Sequence, residues 1–192
     1  MPIIDQTLTY RDIEAKLART SNPRHKLMLE RLLQHARGEV EEDLDAVLGT
    51  LAPNPVYKSS IETPGMNPTG MEAVVRFYKE EIFGKGRHCL ESTKSRILVS
   101  DAAIVTEGQV RSVHWGRDLI DTGAQVDDPD GFYLLTYQML IVWPYDEAGR
   151  ITGEESWSRR AGADYIRKIS EADLPESFVR YVAGRRREPA AA

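Results

Sequence analysis

The sequence predicts an α+β domain in which a strongly curved antiparallel sheet wraps on helices to form a cone-shaped α+β barrel with a pocket at its mouth. Three observations predict it. Helical spacing of apolar residues dominates to about Phe83, and alternating strand patterns dominate from Arg87 to Ser158. The strand candidates also follow one another directly, as in a meander packed on one side by helices. The chain has 192 residues, 41% hydrophobic and 29% charged, an ordinary globular composition. That length fits one domain, expected to bury about 70% of its unfolded surface, enough for a core and an internal pocket. The expected boundaries are an N-terminal arm with a short helix over 1–21, the domain over 22–183 and a disordered tail over 184–192.

The elements follow in order. Ile13 and Leu17, four apart, predict a short amphipathic helix over Thr9–Arg19. Asn22-Pro23 offers an N-cap followed by proline at the first helical position. The helix after it places Leu29, Leu32, Leu33 and Ala36 on one side, and Gly38 is expected to break it. A further helix carries Val40, Leu44, Val47, Leu48 and Leu51. Pro53 and Pro55 forbid its continuation and direct the chain into an extended segment from Val56 to Ile61. Glu62–Gly70, with two prolines and two glycines, reads as a loop. A helix from about Thr69 to Phe83 turns Met71, Val74, Val75, Tyr78 and Ile82 inward, and Gly84 stops it. Strands are expected over Arg87–Ser100, Ala102–Trp115, Phe132–Tyr145 and Arg150–Ser158, the last two joined by a turn at Asp146–Gly149. Gly116–Gly131 is polar and glycine-rich, a long loop of the sort that borders a site. Pro175–Val182 reads as a short helix showing Phe178, Tyr181 and Val182.

Composition excludes several functions. With 25 Lys+Arg against 30 Asp+Glu the net charge is −5, which offers no basic footprint for nucleic acid. No apolar run reaches the ~18 residues of a membrane span, and the N-terminus lacks the apolar core of a signal peptide, so no membrane partner and a cytoplasmic location are expected. The single cysteine, Cys89, supports neither an internal disulfide nor a multi-cysteine metal site.

Between Leu27 and Trp157, the two helices ending in Leu51-Ala52-Pro53, the Val56-Tyr57 strand, Gly70 opening a helix with Phe77-Tyr78, and Gly149-Arg150-Ile151-Thr152-Gly153 occur in an order that resembles the nuclear transport factor 2-like superfamily and its SnoaL-like branch. Within it, Asp43-Leu44-Asp45 leading to Leu51-Ala52-Pro53, and then Tyr57-Lys58-Ser59, are most similar to the scytalone dehydratase group. The resemblance implies a pocket tyrosine at Tyr57 and two catalytic histidines at His88 and His114. His35 stands near another family tyrosine, whose neighbouring aspartate has no counterpart here, Ala36 being the nearest residue. Positions that point into the pocket in relatives align with Glu154 and Ser156. The resemblance further implies a homo-oligomer, dimer or trimer, formed through the outer sheet face.

Two imidazoles with unperturbed pKa near ~6.5 can give and take protons around neutrality, which is what loss of water requires. A tyrosine hydroxyl can orient the leaving oxygen. The expected function is therefore a cofactor-independent lyase with His88 and His114 as acid–base groups and Tyr57 positioning the leaving oxygen. Its substrate would be a small, hydrophobic, hydroxylated and aromatic molecule. Dehydration is one form; the other, seen in the superfamily, loses hydroxyl and then formaldehyde from lignin-derived aromatic dimers. Alternation places Ser112, Val110 and Gly108 on the face of His114, and Leu90 and Ser92 on that of His88. The substrate-binding set is completed by His35, Tyr78, Tyr137, Met139, Glu154 and Phe178, with Phe178 and Tyr181 expected to cap the mouth. Lys58 reads as a surface residue.

Two other classes stay open. His88, His114 and Glu107 or Glu154 imitate a two-histidine, one-carboxylate iron site, although the chain lacks both a tight His-X-His pair and an HExxH helix; no metal or cofactor is expected. The alternative is a non-catalytic scaffold or small-molecule-binding subunit, as in the small subunit of ring-hydroxylating dioxygenases. Within the enzymes of this fold, the hydrolase Asp–Arg–Asp set has no match in Gly153-Glu154-Glu155-Ser156, and the isomerase aspartate is replaced by Tyr57 or Lys58.

Overall fold

The computed structural model describes residues 2–60, 65–160 and 165–185. Helices α1 (Leu8–Ala18), α2 (Pro23–Glu41) and α3 (Leu44–Leu48) lead into strand β1 (Leu51–Ser59). Helix α4 (Met71–Arg76) runs on as a π-helical stretch, Phe77–Phe83. Strands β2 (Leu90–Val99) and β3 (Ala103–Trp115), helix α5 (Gly116–Ile120), strands β4 (Phe132–Pro144), β5 (Ile151–Arg160) and β6 (Ile166–Ile169), and helix α6 (Glu176–Arg185) complete the chain. No described helix is long and apolar enough to cross a membrane.

The sheet runs β1-β5-β4-β3-β2, with β6 pairing the first residues of β4 beyond the end of β5. The β2–β3, β3–β4 and β4–β5 pairs are antiparallel, as expected of a meander, whereas β1 joins β5 in parallel. Pro53 and Pro55 lie inside β1, which begins five residues earlier than the prolines suggested. An edge strand tolerates proline because one row of its N–H groups has no neighbour, and the pairing with β5 is irregular between Leu51 and Val56.

Gly38 does not break α2. The helix continues to Glu41, and the chain reverses at Glu42 (φ 59°), after which the Asp43 side chain accepts from the Ala46 amide to open α3. A Cβ at Gly38 would sit 2.9 Å from Val47, so this glycine lets α3 approach α2. Leu51 accordingly belongs to β1, not to a longer α3. The Asn22 cap and Pro23 open α2 as expected. Of the loop expected over Gly116–Gly131, the first five residues form α5. The weakly patterned β6 had no sequence signal.

The main core packs α2, α3 and α4 on the sheet through Met28, Leu29, Leu32, Val47, Val74, Ile104 and Ile151. Ile13 of α1 belongs to this core, so the segment expected as an arm packs into the body. A second apolar cluster, Cys89, Val113, Trp115, Phe132, Leu134, Phe178 and Val182, seats α6 on the far end of the sheet. Of the tail expected from residue 184, Gly184 and Arg185 end α6, and 186–192 lie outside the described residues.

Candidate active site

Between the helices and the concave face of the sheet lies a largely apolar cavity of about 550 Å³, within the ~300–1,000 Å³ of small-molecule sites. Alternation on β3 aims Thr106, Gly108, Val110, Ser112 and His114 inward, and their partners on β4 present Ile141, Met139, Tyr137 and Leu135 beside them. On β2 the same parity brings in Leu90, Ser92 and Lys94. Tyr57 and Glu154 are register partners on β1 and β5, and both line the cavity.

His88, His114 and Tyr57 all contribute to this wall, yet no hydrogen bond joins them among the described residues. Ser59, Ser156, Ile141 and Thr106 form one row across four strands; Tyr57 lies two residues before it and His114 eight after it in the same direction. The three groups therefore belong to separate polar clusters.

The first cluster surrounds Tyr78, whose hydroxyl lies 2.9 Å from His35 Nε2, 3.0 Å from Glu39 Oε1 and 3.2 Å from the Tyr57 hydroxyl. His35 Nδ1 is 2.8 Å from Thr50 Oγ1, which is 2.6 Å from the Val47 carbonyl. Burial holds His35 down to about 4, so its ring is neutral and has one N–H for two partners. Because Thr50 donates to the Val47 carbonyl, Nδ1 carries the His35 proton and donates to Thr50, leaving Nε2 as an acceptor facing the Tyr78 hydroxyl. With Glu39 ionised, Tyr78 donates to it. With Glu39 protonated, Glu39 donates to Tyr78, Tyr78 to Nε2, Nδ1 to Thr50, and Thr50 to Val47.

Burial pushes Glu39 up to about 7, and burial together with the Glu39 charge pushes Glu154 up to about 8. Lys94, brought down to about 8 by burial, donates to the Thr9 and Ser92 carbonyls, and its charge favours ionised Glu39. Burial, then the Glu154 charge, raises Tyr57 well above the ordinary tyrosine value, so its hydroxyl keeps its proton. Near neutrality this end of the cavity therefore holds two titrating carboxyls and a lysine.

The second cluster centres on His114. Its Nε2 is 2.8 Å from Ser112 Oγ, and burial, assisted by the Arg87 charge, lowers it to about 4. Ser112 also hydrogen-bonds Tyr137, whose acidity responds to Arg87 and to Glu154 in opposite senses. His88 forms the third. Its Nε2 lies 3.3 Å from Glu42 Oε1 and 3.4 Å from Cys89 Sγ, and its ring packs edge-on against Phe83. Burial lowers its pKa against the opposing pull of Glu42. A desolvated imidazole near 4, as at His35 and His114, is a neutral hydrogen-bonding group at pH 7 and a weak base.

Several expected positions need correcting. Phe178 is fully buried in the second apolar cluster, edge-on to Phe132, and does not line the cavity; α6 docks through it. His35 and Tyr78 are fully buried behind the wall and reach the cavity only through Tyr57 and Glu39. Tyr181 is tied to Asp118 at 2.8 Å. Lys58 is exposed, as expected, and paired with Glu155 at 2.7 Å, while Glu107 is paired with Arg96 at 3.1 Å and also contributes to the cavity lining. Tyr137, Met139, Ser112 and Glu154 line the cavity. No three His, Cys, Asp or Glu side chains among the described residues come together as a metal-ligand set. Sequence reasoning missed Glu39, Lys94 and Arg87. Glu39 lies one helical turn beyond His35, and Lys94 extends the Leu90–Ser92 alternation by one step, so both had a signal; Arg87 had none.

No protein-family model matches the chain, and no curated protein matches it in sequence. Solved structures do share its fold. A candidate SnoaL-like polyketide cyclase from Jannaschia sp. CCS1 aligns at a TM-score of 0.55 and 12% identity over 73% of this chain and 90% of its own. Another from Shewanella putrefaciens CN-32 aligns at 0.56 and 9% over 76% and 86%. RV0760c of Mycobacterium tuberculosis, in complex with estradiol-17beta-hemisuccinate, aligns at 0.51 and 16% over 73% and 98%. At these identities the likeness is one of fold, the SnoaL-like and nuclear transport factor 2-like cone.

Proposed function

We propose that this chain, which has the cone fold of the SnoaL-like cyclases, is a cofactor-free lyase that eliminates water from a small, largely apolar, hydroxylated aromatic molecule. The observation that carries the proposal is the Glu39–Glu154 pair facing an apolar cavity beside Tyr57, with one carboxyl near 7 and the other near 8. Two carboxyls whose surroundings separate their pKa values are suited to opposite roles at one pH. Elimination needs a base for a C–H proton and an acid for the departing hydroxyl. Glu154, protonated at neutral pH, delivers its proton to the leaving oxygen, which departs as water. Tyr57 holds that oxygen, and ionised Glu39 takes the carbon-bound proton. The Tyr78–Tyr57 hydroxyls then provide the route by which the proton returns from Glu39 toward Glu154. His114, neutral, together with Ser112 and Tyr137, offers hydrogen bonds to the far end of the substrate. Loss of formaldehyde after the hydroxyl departs from a lignin-type dimer would use the same acid step.

The test is turnover of benzylic β-hydroxy ketones and β-hydroxy acids, read by absorbance of the conjugated product. Wild type should convert at least one of them, and Glu154→Gln and Tyr57→Phe should each be slowed about a hundredfold with the fold intact. Wild-type rates in both variants would overturn the assignment. A binding protein without turnover is the second reading, favoured by the steroid ester held by RV0760c. Tight binding of these compounds with no conversion would establish it.

A further inference from the structure

Arg87 is a cation on the wall of the largely apolar cavity, and the mechanism above leaves it unused. Its Nη1 meets the Glu81 carboxylate at 3.1 Å and the Met66 thioether at 2.9 Å, the latter a weak acceptor. Glu81 is shared with Lys85, which holds it at 2.9 Å, so one carboxylate faces two cations. Among the described residues, Arg87 Nε and Nη2 have no acceptor, and neither atom is sealed away from solvent. These two nitrogens form the side-on edge of the guanidinium, the geometry that takes a carboxylate through two parallel hydrogen bonds. The neighbouring wall supplies further polar hydrogens from Ser112, His114 and Tyr137. The other acid on that wall, Asp118, is engaged by the Tyr181 hydroxyl at 2.8 Å. The Arg87 charge reaches the interior, because it disfavours protonated His114 and favours ionised Tyr137.

We infer that Arg87, with Ser112, His114 and Tyr137, forms a carboxylate subsite, so that the molecule bound here carries a carboxylate at the end opposite its reacting hydroxyl. This inference rests on the proposed small-molecule site and narrows the class of its substrate to hydroxylated aromatic acids. In the bound state the carboxylate bridges Nε and Nη2, and the aromatic body extends along Met139 and Trp143 toward Tyr57 and Glu154.

The probes are a naphthalene carboxylate and its neutral carboxamide, of nearly equal shape, followed by quenching of tryptophan fluorescence, Trp143 being in the wall. Wild type should bind the carboxylate at least about tenfold more tightly, with the preference shrinking as salt is raised. Arg87→Gln should abolish the preference while keeping carboxamide affinity. Arg87→Lys, which keeps charge but not the forked edge, should retain only part of it. Because Arg87 also ties Glu81 and Met66, the wild-type comparison decides even where a variant fails to fold. Equal affinities in wild type, or a preference surviving in folded Arg87→Gln, would overturn the subsite while leaving the apolar site standing. Binding of neither probe would overturn it too, and turnover of neutral β-hydroxy ketones would then show that the proposed lyase reading stands without it.

Discussion

Replacing Glu154 by glutamine should make the protein more stable at alkaline pH while removing its proposed acid. The carboxyl rises from 4.5 to about 8 because burial and the Glu39 charge penalise its ionised form. Below 4.5 the group is protonated in both folded and unfolded chains and contributes nothing. Between 4.5 and about 8 the unfolded chain releases a proton that the folded chain keeps, so stability falls as pH rises; above about 8 the whole cost is present. At ~1.4 kcal/mol per pKa unit the ceiling is about 5 kcal/mol. Water entering the cavity screens the charge, so a gain of about 2 kcal/mol is expected for the neutral isostere at pH 9. Urea unfolding of wild type and Glu154→Gln at pH 5 and pH 9 measures it. The stabilisation should be small at pH 5 and larger at pH 9. An equal gain at both values, or a loss at pH 9, would refute the reasoning, because the carboxyl would then be ordinarily solvated.

Other outcomes follow from the same structure. Lys94→Met removes the cation that favours ionised Glu39, so the acid limb of the pH–rate profile should move to higher pH by about half a unit. Phe178→Ala should cost about 3–5 kcal/mol in chemical denaturation but leave ligand affinity unchanged, since this side chain is core and not cavity wall. A change in affinity without loss of stability would return it to the site. Gly108→Ala should destabilise by at least about 2 kcal/mol, because its Cβ would lie 1.8 Å from the Thr93 carbonyl oxygen, a backbone atom that cannot rotate away. A neutral result would mean that the β2–β3 bulge beside Lys94 relaxes freely.

The cone was legible because its causes are periodic and local. Leucines at helical spacing in α2, the Asn22-Pro23 start and the unbroken alternation from Thr106 to His114 each state which face is buried. The same alternation located Ser112, Tyr137 and Met139 correctly, because strand parity does not depend on what lies opposite. It failed at Gly38, where glycine signals either a helix end or a close approach, and only the position of Val47 decides between them. It failed again at Phe178, since an apolar side chain on a short helix carries no mark of whether it meets a ligand or a packed core.

The roles within the site were a tertiary matter. Sequence by itself singled out His114, Tyr57 and Glu154 as strand residues turned toward one pocket. It could not determine their proton affinities, which depend on desolvation and on charges brought close by folding. His35 and Glu39 are four residues apart on α2, yet the fold lowers the imidazole to about 4 and raises the carboxyl to about 7. The reason is one and the same: an environment poor in water disfavours the charged form of each, which is the protonated form for histidine and the deprotonated form for glutamate. The chain therefore specified which faces are buried, and the enclosure they build together decided which groups meet and which of them hold protons at pH 7.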